Sequence, residues 1–145
     1  MQAETTNYIF CMKWGTLYGP EYVNRLYSMV KRNLTYDFKM VCFTDDNTGI
    51  IDEVQCFPIP ELDIPNGPER MWKKLTTLKA DLYGLEGRAL FLDLDIVIVD
   101  NIDCFFEVEG EFRIIKDHSW RSWRITGNSS VYRFDIGKHG YVFDD

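Results

Sequence analysis

Two aspartates, Asp93 and Asp95, lie inside the most apolar run of the chain, Ala89-Leu90-Phe91-Leu92-Asp93-Leu94-Asp95-Ile96-Val97-Ile98-Val99, where nine of eleven residues are apolar. Apolarity sustained over this length predicts a central strand of a parallel sheet, buried on both faces. Strand periodicity then puts both carboxylates on one face and Leu94 on the other, with the aspartate Cα atoms about 6.6 Å apart. Carboxylates this close in apolar surroundings repel each other and lose hydration. Three arrangements relieve them: one stays protonated, a basic side chain pairs with them, or a hard divalent cation sits between them. Oxygen ligands suit Mg²⁺ or Mn²⁺, which often bring phosphate with them. Asp-X-Asp alone is usually a solvated turn; the apolar flanks on both sides set this pair apart.

The elements that must position the pair follow from the pattern in order. Tyr8–Met12 is a short apolar strand. Lys13 to Pro20, with two glycines and a proline, is a loop. Pro20 opens a helix, Glu21 suits its positive end, and Tyr22, Val23, Leu26, Tyr27, Met29 and Val30 form its apolar face to about Arg32, with Asn33 as the stop. Lys39–Thr44 is a second strand, ending in Asp45-Asp46-Asn47-Thr48-Gly49, so residues 8 to 44 form a βαβ unit and imply a parallel sheet. Glu53–Phe57 is a third, shorter strand. Pro58, Pro60, Pro65, Gly67 and Pro68 mark an irregular stretch. A second helix is expected from near Pro68, with Met71, Leu75, Leu78 and Leu82 as one stripe and Gly84 as its end. Beyond the aspartates, Phe112–Lys116 and Ser130–Asp135 are two more strands. The expected fold is α/β, a three-layer αβα arrangement around a mostly parallel, nucleotide-binding sheet, with residues 1–145 as a single domain.

Composition narrows the function classes. Of 145 residues, 46% are hydrophobic and 15% aromatic, which fits a globular core and not a disordered chain. A net charge of −7, with no face dense in Lys and Arg, argues against nucleic acid as a partner. No run of 18 apolar residues is present, so no membrane span is expected. The N-terminal residues lack the basic and apolar regions of a signal peptide. Cys11, Cys42, Cys56 and Cys104 form no Cys-X-X-Cys, and three lie in apolar runs; buried free thiols in a reducing, cytoplasmic setting are expected.

Lys74-Leu75 in the second helix, followed by Leu90-Phe91-Leu92-Asp93-Leu94-Asp95-Ile96-Val97-Ile98-Val99-Asp100-Asn101-Ile102-Asp103 and the aromatics Phe105 and Phe106, resembles the GT-A fold nucleotide-sugar glycosyltransferases, in texture the glycogenin-like family 8 enzymes. The first strand, the Tyr18 loop and the first helix are similar to that family's uridine-binding start, and Asn128-Ser129-Ser130-Val131 resembles its Asn-Ser-Gly-Val strand, with Ser130 where Gly is usual. The resemblance implies that Asp93 and Asp95 hold Mn²⁺ or Mg²⁺ on the two phosphates of a UDP-sugar donor, Asp95 as direct ligand and Asp93 sharing the ion or bonding the ribose. It further implies a donor site formed by Met12, Lys13, Trp14, Tyr18, Asp45, Lys74, Asp93, Leu94, Asn128 and Ser129. Members generally continue into an acceptor-binding half with a late metal-ligating His, so a minimal or truncated donor domain is expected, with His139 a poor substitute for that His.

Each assignment has a plain alternative. Tyr18 would stack on uracil or pack on the adjacent helix. Lys13 and Trp14 follow the first strand's carboxyl end, where open α/β sheets bind ligands, or are a solvated Lys and a packed Trp. Asp45 or Asp46 would accept from uracil N3–H or form an Asx turn. Lys74, and more weakly Arg70, would contact phosphate or remain solvated. Trp120 and Trp123, with Arg121 and Arg124, would cover the donor or pack elsewhere. Asp117 and Asp135 are weaker candidates for a general base, each better suited to a solvated turn. The expected function is metal-dependent transfer, or slow hydrolysis, of the sugar of a UDP-sugar to an unidentified acceptor. A non-catalytic nucleotide-sugar binder and a haloacid-dehalogenase-type phosphatase, whose first motif also carries two aspartates after an apolar strand, are the alternatives.

Overall fold

A computed structural model describes residues 6–60, 76–78, 82–110, 112–117 and 126–139, of which 115–117 and 126–130 are described by backbone alone. The chain runs β1 (Asn7–Lys13), α1 (Pro20–Asn33), β2 (Lys39–Thr44), β3 (Val54–Phe57), a 3₁₀ turn at Thr76–Leu78, β4 (Arg88–Leu92), a one-turn helix α2 (Cys104–Glu107), β5 (Phe112–Asp117) and β6 (Thr126–Asp135). The six strands form one sheet in the order β3-β2-β1-β4-β6-β5. The pairs β1–β2, β1–β4 and β2–β3 are parallel, while β6 runs antiparallel to both β4 and β5. The protein is therefore α/β with a mostly parallel sheet, and β1 and β4 lie at its middle.

Local chemistry explains the first half. Pro20 occupies the first turn of α1 with Glu21 beside it, and Lys31 and Arg32 lie in the last turn, complementing the helix dipole at both ends. Val23, Leu26, Met29 and Val30 turn one buried stripe onto the sheet. Asn33 is the last helical residue, and its Nδ2 donates to the Met29 carbonyl at 2.8 Å while the Leu34 amide closes on Val30. It ends the helix by satisfying carbonyls, without a left-handed cap.

The buried strands pack two separate clusters. Ile9 and Cys11 of β1, Met40 and Cys42 of β2, and Leu90 and Leu92 of β4 meet α1 on one face. Tyr8, Phe10, Met12, Val41, Phe43, Ala89 and Phe91 meet Leu78, Leu82, Tyr132 and Phe134 on the other. This is the alternation that strands buried on both faces require. Fully burying one such aliphatic or aromatic side chain stabilises the fold by about 1.5–3 kcal/mol. Cys11, Cys42 and Cys56 lie directly opposite one another in a single row across β1, β2 and β3. All four cysteines are free thiols; Cys11 and Cys42 are buried, Cys56 half-buried and Cys104 exposed. Contact with Cys42, then burial, pushes the Cys11 thiol well above its usual range.

Three expectations need correction or fall outside the description. The strand expected over 89–99 stops at Leu92, and Asp93 to Ile96 form a turn closed by the Ile96 amide on the Asp93 carbonyl. A buried ladder offers two adjacent carboxylates no hydration, so the chain leaves the sheet where they begin. Ile96 and Ile98 still pack on the α1-side cluster, whereas Val97 and Val99 are 75% and 88% exposed. The helix expected from Pro68 falls largely on residues outside the description; its described part is the Thr76–Leu78 turn, with Leu78 and Leu82 buried as the stripe requires. The last two strands are longer than the pattern indicated, since β6 begins at Thr126 and β5 extends to Asp117.

Candidate functional site

Strand order locates a crevice. From β1 the chain proceeds outward to β2 and β3, then returns to place β4 on the other side of β1. The loops leaving β1 and β4 both pack on the α1 side and meet at the carboxyl edge of the sheet, the edge where open α/β sheets bind ligands. The loop after β1 brings Trp14, Gly15 and Tyr18, and the turn after β4 brings Asp93 and Asp95. β2 ends beside β1, in the register Lys13↔Thr44, and adds Asp45 and Asp46.

The first loop is fastened at both ends. The Gly15 amide donates to Asp45 Oδ2 at 3.0 Å, and Gly15 has φ +67°, a conformation that glycine takes without penalty. At the other end the Tyr22 amide donates to the Gly19 carbonyl as α1 begins. Between these anchors the Tyr18 ring meets Tyr22 edge-on, centroids 4.9 Å apart, and its hydroxyl donates to Asp95 Oδ2 at 3.4 Å. The Asp95 charge, first, and then loss of solvent raise the Tyr18 hydroxyl above the ordinary phenol range. Asp46 forms an Asx turn: its Oδ1 accepts the Thr48 amide at 3.0 Å, and these bonds to Thr48 hold its carboxyl below the usual range. Lys13 is buried, with Nζ 3.5 Å from the Asp46 carbonyl oxygen.

Asp93 is half-buried, Leu94 buried and Asp95 exposed. Beneath them Tyr132 pairs with Phe91 across β4 and β6, and its hydroxyl lies 3.0 Å from Thr77 Oγ1. Burial, with the Asp93 charge adding to it, pushes the Tyr132 hydroxyl far above the ordinary phenol range. The segment after the turn is pinned to the end of α1. The Ile102 amide donates to the Asn33 carbonyl at 2.8 Å, and Asp103 accepts the Thr35 amide at 2.8 Å and the Thr35 hydroxyl. Arg133, buried in β6, donates to the carbonyls of Phe105, Val108 and Gly110 and so fixes α2 against the sheet.

The expected site residues divide accordingly. Asp93, Asp95, Trp14, Tyr18 and Asp45 lie at the carboxyl ends of β1, β2 and β4. Met12 and Leu94 are there too, but their side chains belong to the core, so they offer a ligand only backbone groups. Asn128 and Ser129 lie in β6 beyond Val131, the partner of Leu92, where the pairing of β6 with β5 shifts register. Lys74, Arg70, His118, Trp120, Arg121, Trp123 and Arg124 lie outside the described residues. Asp135 is not at this site: it pairs with Arg88 at the opposite end of β4, Nε to Oδ1 3.3 Å. His139 is likewise remote, buried edge-on against Phe112 beyond the Ala89 end of the sheet. Pattern analysis missed the Tyr18–Asp95 and Thr77–Tyr132 contacts, which join residues 77 and 55 positions apart. The one available signal was the alternation in Val131–Asp135, which marks Tyr132 as facing the same side as Phe134.

The donor set fits a hard divalent cation. Two carboxylates on one turn, one exposed, match Mg²⁺ or Mn²⁺, which commonly take one or two protein carboxylates and complete their shell with phosphate oxygens and water. Among the described residues no group of three or more His, Cys, Asp or Glu is gathered. No helix among the described residues is long and apolar enough to cross a membrane. The sequence matches no protein-family model and no curated protein.

Proposed function

We propose that this chain is a metal-dependent glycosyltransferase domain of GT-A type that binds a UDP-sugar in the crevice between β1 and β4. The observation that carries the reading is the placement of Asp93 and Asp95 just past the carboxyl end of β4, at the point where the strand order reverses. The two separately packed faces, α1 on one and Leu78 and Leu82 on the other, suit the three-layer αβα architecture of that class.

In this reading Asp93 and Asp95 hold Mn²⁺ or Mg²⁺ against the donor diphosphate. The bound cation supplies charge neutralisation for the departing UDP. The chain's own groups bind and orient. Asp45 keeps the Gly15 amide and the β1 loop in place, and Trp14 and Tyr18 offer aromatic surface to the base. Asn128 and Ser129, in β6, would contact the sugar.

Calorimetry tests the reading. UDP should bind much more tightly with Mn²⁺ than in EDTA, and more tightly than ADP or GDP, and Asp95→Ala should abolish the metal dependence. Equal UDP binding with and without Mn²⁺, or by both proteins, would refute the site. A panel of UDP-sugars with Mn²⁺ then decides turnover: UDP release lost in Asp93→Asn and Asp95→Asn supports a transferase. Tight UDP binding without release from any donor supports a non-catalytic binder. Cleavage of p-nitrophenyl phosphate with Mg²⁺ and indifference to UDP would indicate a phosphatase.

A further inference from the structure

We propose that Tyr18 is a positioning residue for the metal-binding carboxylate of Asp95, acting through its hydroxyl. The inference rests on the metal reading of Asp93 and Asp95 and adds a role for Tyr18 beyond offering a surface to a nucleobase. Three observations converge on it.

Asp95 is exposed, on a turn that has left the sheet. An aspartate so placed has two free torsions, and a cation binding it must order the side chain at an entropic cost. Among the described residues Tyr18 is the one hydrogen-bond donor to its carboxylate, Oη to Oδ2 at 3.4 Å.

The Tyr18 ring is itself held. Its neighbour Tyr22 lies edge-on at 4.9 Å and 67°, and the Arg25 guanidinium covers the Tyr22 ring at 5.4 Å. The loop is anchored three residues earlier by the Gly15–Asp45 bond and one residue later where α1 begins. The hydroxyl is thus delivered from the anchored loop just before α1, 77 residues away in sequence from the turn it touches.

The chemistry leaves the carboxylate competent. An ionised aspartate has two oxygens and about four acceptor positions. Tyr18 engages Oδ2 from the β1 side, which orients the group and leaves Oδ1 and the second lone pair of Oδ2 for a cation shared with Asp93. Groups that bond a ligating carboxylate from behind typically contribute about 10–100-fold to metal affinity, and a 3.4 Å bond belongs at the lower end.

The test uses Mn²⁺ alone, with free ion followed by electron paramagnetic resonance and no nucleotide present. Tyr18→Phe keeps the ring, its packing on Tyr22 and any stacking surface, and removes only the hydroxyl. Mn²⁺ affinity should fall about tenfold, while the thermal midpoint stays at the wild-type value. On an Asp95→Asn background the same change should leave the residual Mn²⁺ affinity untouched, because the two residues act as one unit. Wild-type Mn²⁺ affinity in Tyr18→Phe, with binding still lost in Asp95→Asn, would overturn the role of Tyr18 alone. Tyr18→Phe lowering Mn²⁺ affinity equally in the wild-type and Asp95→Asn backgrounds would also overturn it, as a general loosening of the loop would do that. Absence of Mn²⁺ binding by the wild-type protein would overturn the metal reading itself.

Discussion

Replacing Tyr132 and Thr77, singly and together, tests whether the floor of the candidate site is built as described. Tyr132 is 6% exposed and Thr77 fully buried, and their hydroxyls are 3.0 Å apart. The contact docks the Thr76–Leu78 turn onto β6 one rung from the end of β4. Tyr132→Phe keeps the ring stacked on Phe91, centroids 5.0 Å apart and planes within 9°, so the packing contribution is preserved. What is lost is one neutral hydrogen bond, worth about 1 kcal/mol net. Thr77→Val keeps the shape of the side chain and should cost a similar amount by the converse argument. The double variant removes both hydroxyls at once, so the bond between them is lost only once. Urea unfolding of the four proteins, followed by circular dichroism at unchanged m value, gives the cycle. The two single losses should exceed the double loss by at least about 1 kcal/mol, roughly 2–4 °C in Tm for a chain of this size. Additivity within about 0.3–0.5 kcal/mol would show that the hydroxyls do not interact, and the docking of the 76–78 turn would be refuted.

Two further outcomes are expected. Gly87→Ala should destabilise the protein by about 2 kcal/mol or more, since a Cβ there would lie 2.3 Å from the Thr6 carbonyl oxygen at φ +133°; Gly84→Ala, at φ +71° with open space around it, should lose only about 1 kcal/mol, and equal midpoints in urea would contradict this. The bonds from Thr35, assisted by Asn101, hold the Asp103 carboxyl below its ordinary value of 3.8, so its stabilising contribution is complete above that value and is lost as pH falls through the lower folded value. Acid unfolding of Asp103→Asn should therefore be less pH-dependent below pH 4 than that of the wild type, and superimposable acid titrations would show that the pin between α1 and the 101–103 segment contributes nothing.

Local patterns determined the half of the fold that is built from near neighbours. β2 matches its apolar run at both ends, β1 and β3 match within a residue or two, and α1 begins at Pro20 and closes at Asn33. Capping chemistry and period both operate within about a turn of chain, so a one-dimensional pattern contains them. The same pattern singled out Asp93 and Asp95 and placed β1 and β4 at the centre of the sheet. It could not set where β4 ends. Ile96-Val97-Ile98-Val99 has the composition of a strand, yet the ladder stops at Leu92 because two adjacent carboxylates cannot be desolvated on a buried rung. Strand order, the antiparallel addition of β6 and β5, and the contacts of Asp95 with Tyr18 and of Thr77 with Tyr132 belong to the tertiary structure alone. Each joins residues far apart in sequence, and which groups meet there is decided by how a sheet buried on both faces distributes its apolar area. Sequence therefore named the two carboxylates, and folding decided that they leave the sheet at the crevice beside β1, with a tyrosine hydroxyl on one of them.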